Sequence, residues 1–305
     1  MTTTKPFRCS YSAMAQRGAG NEVVLLNTGN YPAFSNYLNE TWTFDGVDYT
    51  RAISATANGP LPVRTNMAMC YDGYNILMFG GQSGHQSLSD SWTFNGTSWT
   101  KETPATVPFG RFKSKLALLN TVAPKAVMFG GTNILNFLSE VWVWDGNLKT
   151  WTLGTPTNKP PARVDHMFAG GATVCVLFGG KGTNNLFGDT WSFDGSQFSQ
   201  NTPTTPPPPR AEGCLVYDPV NDLWVLFGGR NDFNVLQAET WTLNSNRTAW
   251  TQQSPTLSPT GRVGAQMCYD DNTATVLLNG GSNGAGTVYN DSWSFNTTTM
   301  QWAQI

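Results

Sequence analysis

Short apolar runs alternate with polar stretches along this chain, and no stretch keeps the 3.6-residue periodicity of a helix. Residues 64–102 show the pattern. The segment from Thr65 to Tyr71 follows Arg64 and reads as a first strand, A. Asp72-Gly73-Tyr74-Asn75 is a turn, since Asp-Gly is a strong hairpin signal. Ile76-Leu77-Met78-Phe79 is apolar at every position, which predicts a strand, B, buried on both faces. Gly80-Gly81 ends it, and residues 82–89 form a loop. Large and small residues alternate in Asp90-Ser91-Trp92-Thr93-Phe94, giving strand C. Asn95-Gly96 is a second hairpin turn, and Ser98 to Lys101 is strand D. The proline-containing run to Phe109 cannot continue a sheet, so it crosses to the next unit.

The same unit is written six times, with a period of about 50 residues, in the range of propellers and solenoids. An arginine opens each copy: Arg8, Arg64, Arg111, Arg163, Arg210 and Arg262. A glycine pair follows strand B in every copy except the first, which has Thr28-Gly29. An acid then precedes a tryptophan by two residues, as in Glu40 and Trp42 or Asp291 and Trp293. A second aromatic closes the unit: Tyr49, Trp99, Trp151, Phe198, Trp250 or Trp302. Each unit can bury its apolar face only against the next, so a single domain over 1–305 is expected. Four antiparallel strands taken six times predict an all-β, six-bladed β-propeller. Its blades fall at about residues 8–50, 64–102, 111–153, 163–200, 210–252 and 262–305. Ala303–Ile305 and Met1–Phe7 together nearly match an ordinary crossing such as Thr100–Gly110. The ring is therefore expected to close without a strand swap.

Phe79-Gly80-Gly81, Asp90-Ser91-Trp92-Thr93-Phe94 and Trp99, in that order after Arg64, resemble the kelch repeat. The likeness covers essentially the whole chain; Thr28-Gly29, Tyr49 and Phe198 depart from it. It implies a propeller that recognises a protein or glycan through its loops. In some kelch domains that grip acidic peptides, the repeat arginines line the pocket. The copper ligands of galactose-oxidase-like kelch enzymes are not expected in a chain with two distant histidines, His85 and His166. The iron-binding Glu-x-x-x-Asp-x-x-x-His run of plant nitrile-specifier kelch proteins is also absent, since Gly81 and Ala162 stand four residues before those histidines.

Composition narrows the function further. Charged residues make up 12% of the chain and the net charge is -2, which disfavours nucleic acid as a partner. No apolar run approaches a membrane span, and Met1 to Arg8 has no apolar signal core. A cytoplasmic or virion-associated protein is the expectation. The five cysteines are odd in number and lack metal spacing, so they read as small buried hydrophobes. No metal site, cofactor or catalytic residue is expected.

The tryptophans recur at one blade position, which makes them inter-blade core and not a stacking surface. The arginine, the glycines and the acid fall at one end of each blade. That order predicts six framework ion pairs: Arg8–Glu40, Arg64–Asp90, Arg111–Glu140, Arg163–Asp189, Arg210–Glu239 and Arg262–Asp291. Two residues past the arginines the sequence varies in charge, through Ser10, Asn66, Lys113, Asp165, Glu212 and Gly264. These should lie just inside the channel mouth, with the B–C loops around them. The candidate ligand or partner face is therefore Asn66, Lys113, Asp165, His166 and Glu212, with His85, Lys181, Arg230 and Asp232 in the loops. Asp165-His166 in a cleft could serve acid–base chemistry. The leading expectation is a non-catalytic binding or scaffold propeller for a protein or glycan. The alternatives are a structural or receptor-contacting component of a viral particle, within a larger assembly, and a carbohydrate-active enzyme of epimerase or lyase type.

Overall fold

The computed structural model describes residues 12–18, 22–27, 40–53 and 61–305. Six four-stranded antiparallel sheets follow one another along the chain, and no helix occurs among the described residues. The first sheet comprises Ala13–Arg17, Glu22–Asn27, Glu40–Phe44 and Tyr49–Ile53. The second comprises Ala68–Tyr71, Ile76–Phe79, Ser91–Phe94 and Trp99–Glu102. The others run from Lys115–Leu119 to Thr150–Gly154, Met167–Ala169 to Phe198–Asn201, Cys214–Asp218 to Trp250–Gln253, and Gln266–Asp270 to Gln301–Gln304. Each strand A packs beside the next strand A, and that of the sixth sheet meets that of the first. Each four-stranded sheet is built from one continuous stretch of chain. The chain is thus a six-bladed β-propeller, and among the described residues no strand is shared between its first and last blades.

The residues from 82 to 89 are not a plain loop: Gln82–Ser83 pairs with Gln86–Ser87 as a miniature hairpin. Blades three to six repeat it as single bridges, such as Lys181 to Leu186 and Arg230 to Leu236. The core lies between blades. Ile76 to Phe79 are each 0% exposed because both faces of strand B are covered. Cys70, Cys175, Cys214 and Cys268 are buried as free thiols in these layers.

The second aromatic of each blade reaches back into the preceding blade. The indole Nε1 of Trp99 donates to Thr41 Oγ1 (2.9 Å), that of Trp151 to Ser91 Oγ (2.9 Å), that of Trp250 to Thr190 Oγ1 (3.1 Å) and that of Trp302 to Thr240 Oγ1 (2.8 Å). Across the ring closure, the Tyr49 hydroxyl meets Ser292 Oγ at 3.0 Å. The hydroxyl residue always stands between the acid and the strand C tryptophan. Where the aromatic is Phe198, which has no donor, that place is Val141, and both sit in one apolar cluster. A buried indole N–H needs an acceptor and a phenyl ring does not, so the two positions match across the interface.

Candidate functional site

Five arginines are fully buried at the start of their blades. Arg64 donates to both oxygens of Asp90 (2.6 and 2.7 Å), to Gly80 O (2.8 Å) and to Pro62 O (3.1 Å). Arg163 and Arg262 hold Asp189 and Asp291 in the same two-pronged way. Arg111 and Arg210 reach Glu140 and Glu239 through one nitrogen, at 2.6 and 2.7 Å. Each of these acids also accepts the indole N–H of the tryptophan two residues on, as at Asp90 from Trp92 (2.6 Å). Burial alone would raise the Asp90 and Asp291 carboxyls; the arginine and indole donors outweigh it and hold them below the usual range. Arg8 lies outside the described residues; Glu40 accepts from Trp42 (2.9 Å) and Arg51 (3.2 Å).

The glycine pairs join neighbouring blades. Gly81 N donates to Arg111 O of the next blade (2.9 Å), and Gly131, Gly180 and Gly229 do the same. Gly80 and Gly81 have φ of +64° and +98°, and a Cβ on Gly80 would stand 2.5 Å from Arg111 O. Only glycine allows both the conformation and the approach.

Two residues past the arginines the backbone is left-handed in every described blade from the second on. Asn66 (φ 56°), Lys113 (58°), Asp165 (54°) and Glu212 (63°) lack glycine's freedom; Gly264 (64°) has it. Lys113 N donates to Asn66 O, Glu212 N to Asp165 O and Gly264 N to Glu212 O, so these bonds join three of the blade junctions around the channel mouth. Their side chains form a neck that leaves a space of about 30 Å³. Lys113 Nζ donates to Asp165 Oδ2 (2.8 Å), and Arg230 Nη2 donates to Glu212 Oε1 (2.5 Å). Asp165 and Glu212 are buried. Burial and then the Asp165 charge push the Glu212 carboxyl up, against Arg230 and Lys113.

Around this neck, His85, Lys181 and Asp232 are exposed in the B–C loops, and Arg230 is tied to Glu212. Large apolar side chains stand at the same end: Leu135 (84% exposed) and Phe233 (85%) in B–C loops, and Phe109 (75%) in the crossing into the third blade.

The sequence model of the KLHDC2/KLHL20/DRC7 kelch-repeats domain matches residues 103–257 and again 195–305. The chain belongs to the kelch-repeat family. The kelch propeller in the solved structure of YjhT has a TM-score of 0.76 to it at 14% sequence identity, over 100% of this chain and 99% of that one, a likeness that shows the fold alone. No curated protein matches the chain.

Within this kelch propeller, Asn66, Lys113, Asp165 and Glu212 come together at the neck, while His85, Lys181 and Asp232 stand in separate loops. His166 does not reach the face. It is 0% exposed, its ring edge-on to Phe129 at 5.5 Å, and neither ring nitrogen has a hydrogen-bond partner among the described residues. Burial, then the Arg163 and Lys115 charges, push its pKa well down, so it stays a neutral core residue. A reading of Asp165-His166 as an acid–base pair in a cleft is corrected on that ground: the left-handed backbone at Asp165 (φ 54°) comes just before the strand Met167–Ala169, and Asp165 stands at the neck while His166 is buried in the core. Ser10 lies outside the described residues. Sequence reasoning missed Phe109, Leu135 and Lys115. Lys115 could have been found as the one charged residue where strand A of the other blades has Ser12, Ala68, Met167, Cys214 and Gln266.

Proposed function

We propose that this chain is a non-catalytic binding propeller that holds a protein partner on the face of its B–C loops and D–A crossings. Kelch-repeat propellers commonly serve as protein-binding scaffolds. The observation that carries the reading here is the exposure of Phe109, Leu135 and Phe233 in the connections at the end of the blades that holds the charged neck. Exposed aromatic and aliphatic anchors next to paired charges are the ingredients of a protein interface. Lys113 and Glu212 also occupy a backbone conformation in which Lys and Glu are disfavoured by roughly 1–2 kcal/mol each. Their side chains suit a recognition surface better than they suit the fold. Asp165 and Glu212 are each engaged by a cation, which fits a rigid recognition ring better than proton transfer.

The test is differential capture from the native cell extract. Three baits are compared: the unaltered protein, Leu135→Asp/Phe233→Asp on the loop face, and Val122→Asp/Val220→Asp on the opposite, hairpin-turn face. The expected result is a stoichiometric protein partner lost only with the loop-face variant. Loss only with the turn-face variant overturns the proposal. Release of the partner by free glycan turns the reading toward a glycan-binding face.

A further inference from the structure

Below the neck the six A strands enclose a channel with a cavity of about 510 Å³. Its wall is mainly apolar, with Met69, Ala117, Phe168 and Leu215 among the lining residues. Lys115 lines both the neck and the channel, so it stands where the two meet. Its charge is felt at Cys214, two blades away, and at His166. All 20 acidic residues of the chain are among the described residues, and none comes within 4.0 Å of the Lys115 ammonium. The two acids nearest along the ring are already engaged, Asp165 by Lys113 and Glu212 by Arg230.

A cation facing an apolar chamber with no counter-charge is unfavourable for folding alone. The fold does not require it, because the equivalent place in other blades holds Ala68, Met167, Cys214 or Gln266. A chamber of this size, mostly apolar, with an unpaired cation at its neck end and the exposed Asp271 carboxylate only at its open end, has the makeup of a small-molecule site. We propose that the channel binds a small organic monoanion, its acidic group on Lys115 and its apolar body along the A strands. The neck, filled by two neutral ion pairs, neither repels the anion nor lets it pass. The molecule therefore enters from the hairpin-turn end, where Asn120, Pro219 and Asp271 border the cavity. This site is independent of the protein-binding face: its ligand occupies the channel from the other end.

The probe is 1-anilinonaphthalene-8-sulfonate, an apolar aromatic with one sulfonate, set against the uncharged N-phenyl-1-naphthylamine. Fluorescence titration of the folded protein should give saturable, one-to-one binding of the anion. Lys115→Met should weaken the anion tenfold or more and leave the neutral probe within twofold, while Lys115→Arg should retain both. A second measurement needs no variant. Saturating anion should slow reductive methylation of Lys115, read by peptide mass, at least fivefold relative to exposed Lys181. Equal anion affinity in Lys115→Met, or an unchanged methylation rate at Lys115, overturns the proposal.

Discussion

The match between strand D aromatics and the preceding blade predicts a specific non-additivity. Thr190 and Trp250 are each 1% exposed, and the indole N–H donates to the hydroxyl at 3.1 Å. Thr190→Val keeps the shape and removes the acceptor, stranding a buried donor at a cost of about 1–3 kcal/mol. Trp250→Phe removes the donor and part of the ring, costing roughly 1–3 kcal/mol through lost packing. In the double variant no donor remains to be satisfied. It reproduces the Val141–Phe198 pair that the same ring already contains between blades three and four. The double variant should therefore be less stable than the parent by about the Trp250→Phe cost alone, a coupling of at least about 1 kcal/mol. Urea unfolding of all four proteins, followed by tryptophan fluorescence and circular dichroism, measures it. Additivity within about 0.5 kcal/mol would refute the claim that the hydrogen bond dictates which residues may face each other.

Arg163→Met should cost about 3–5 kcal/mol in the same assay, because it leaves Asp189, Gly179 O and Pro161 O without their buried donor; a loss below about 1 kcal/mol would mean the pair behaves as a surface bridge. His166 should make stability fall on acidification: its pKa is lowered in the folded protein, so below the unfolded value of about 6.5 the unfolded chain binds the extra proton. Stability from this group is complete above that pH and declines by up to about 1.4 kcal/mol per unit between pH 6.5 and 5. His166→Phe should remove that component, and parallel pH profiles for the two proteins would disprove it. Cys214, its thiol pushed up to about 11 by burial, and Cys70, Cys175 and Cys268, raised by burial as well, should resist alkylation until the ring unfolds. Peptide mass mapping after iodoacetamide treatment checks this, and labelling of any of the four in the folded protein would contradict it.

The architecture was readable because the repeat is a local pattern. Arginine, glycine pair, acid and tryptophan recur in one order, and turn chemistry such as Asp72-Gly73 and Asn95-Gly96 separates the strands. The role of the glycines was only half visible. Gly80 does accept from Arg64, but the positive φ of the pair serves contact with Arg111 of the next blade, which lies beyond any single unit. The match of Thr41 to Trp99, or Val141 to Phe198, was present in the letters. It emerges only when residues about one repeat apart are compared across neighbouring blades. His166 was misplaced because the left-handed turn at Asp165, just ahead of the strand, decides which side chain faces the channel mouth and which the core, and an isolated histidine does not reveal that turn. Lys115 was passed over because it sits inside an apolar strand pattern, where the eye follows the pattern and not its exception.

The pairing of Val141 with Phe198 has a consequence for how such a ring could be rearranged. Four of the six seams share one indole-to-hydroxyl lock and a fifth sets the Tyr49 hydroxyl against Ser292, so a blade from one of the four could in principle stand in at another. The third and fourth blades cannot. Moved elsewhere, the fourth would set Phe198 against a threonine or serine, and its replacement would bring an indole against Val141. One apolar seam thus acts as an address in an otherwise repetitive circle, distinguishing blades that the repeat motif alone would leave interchangeable.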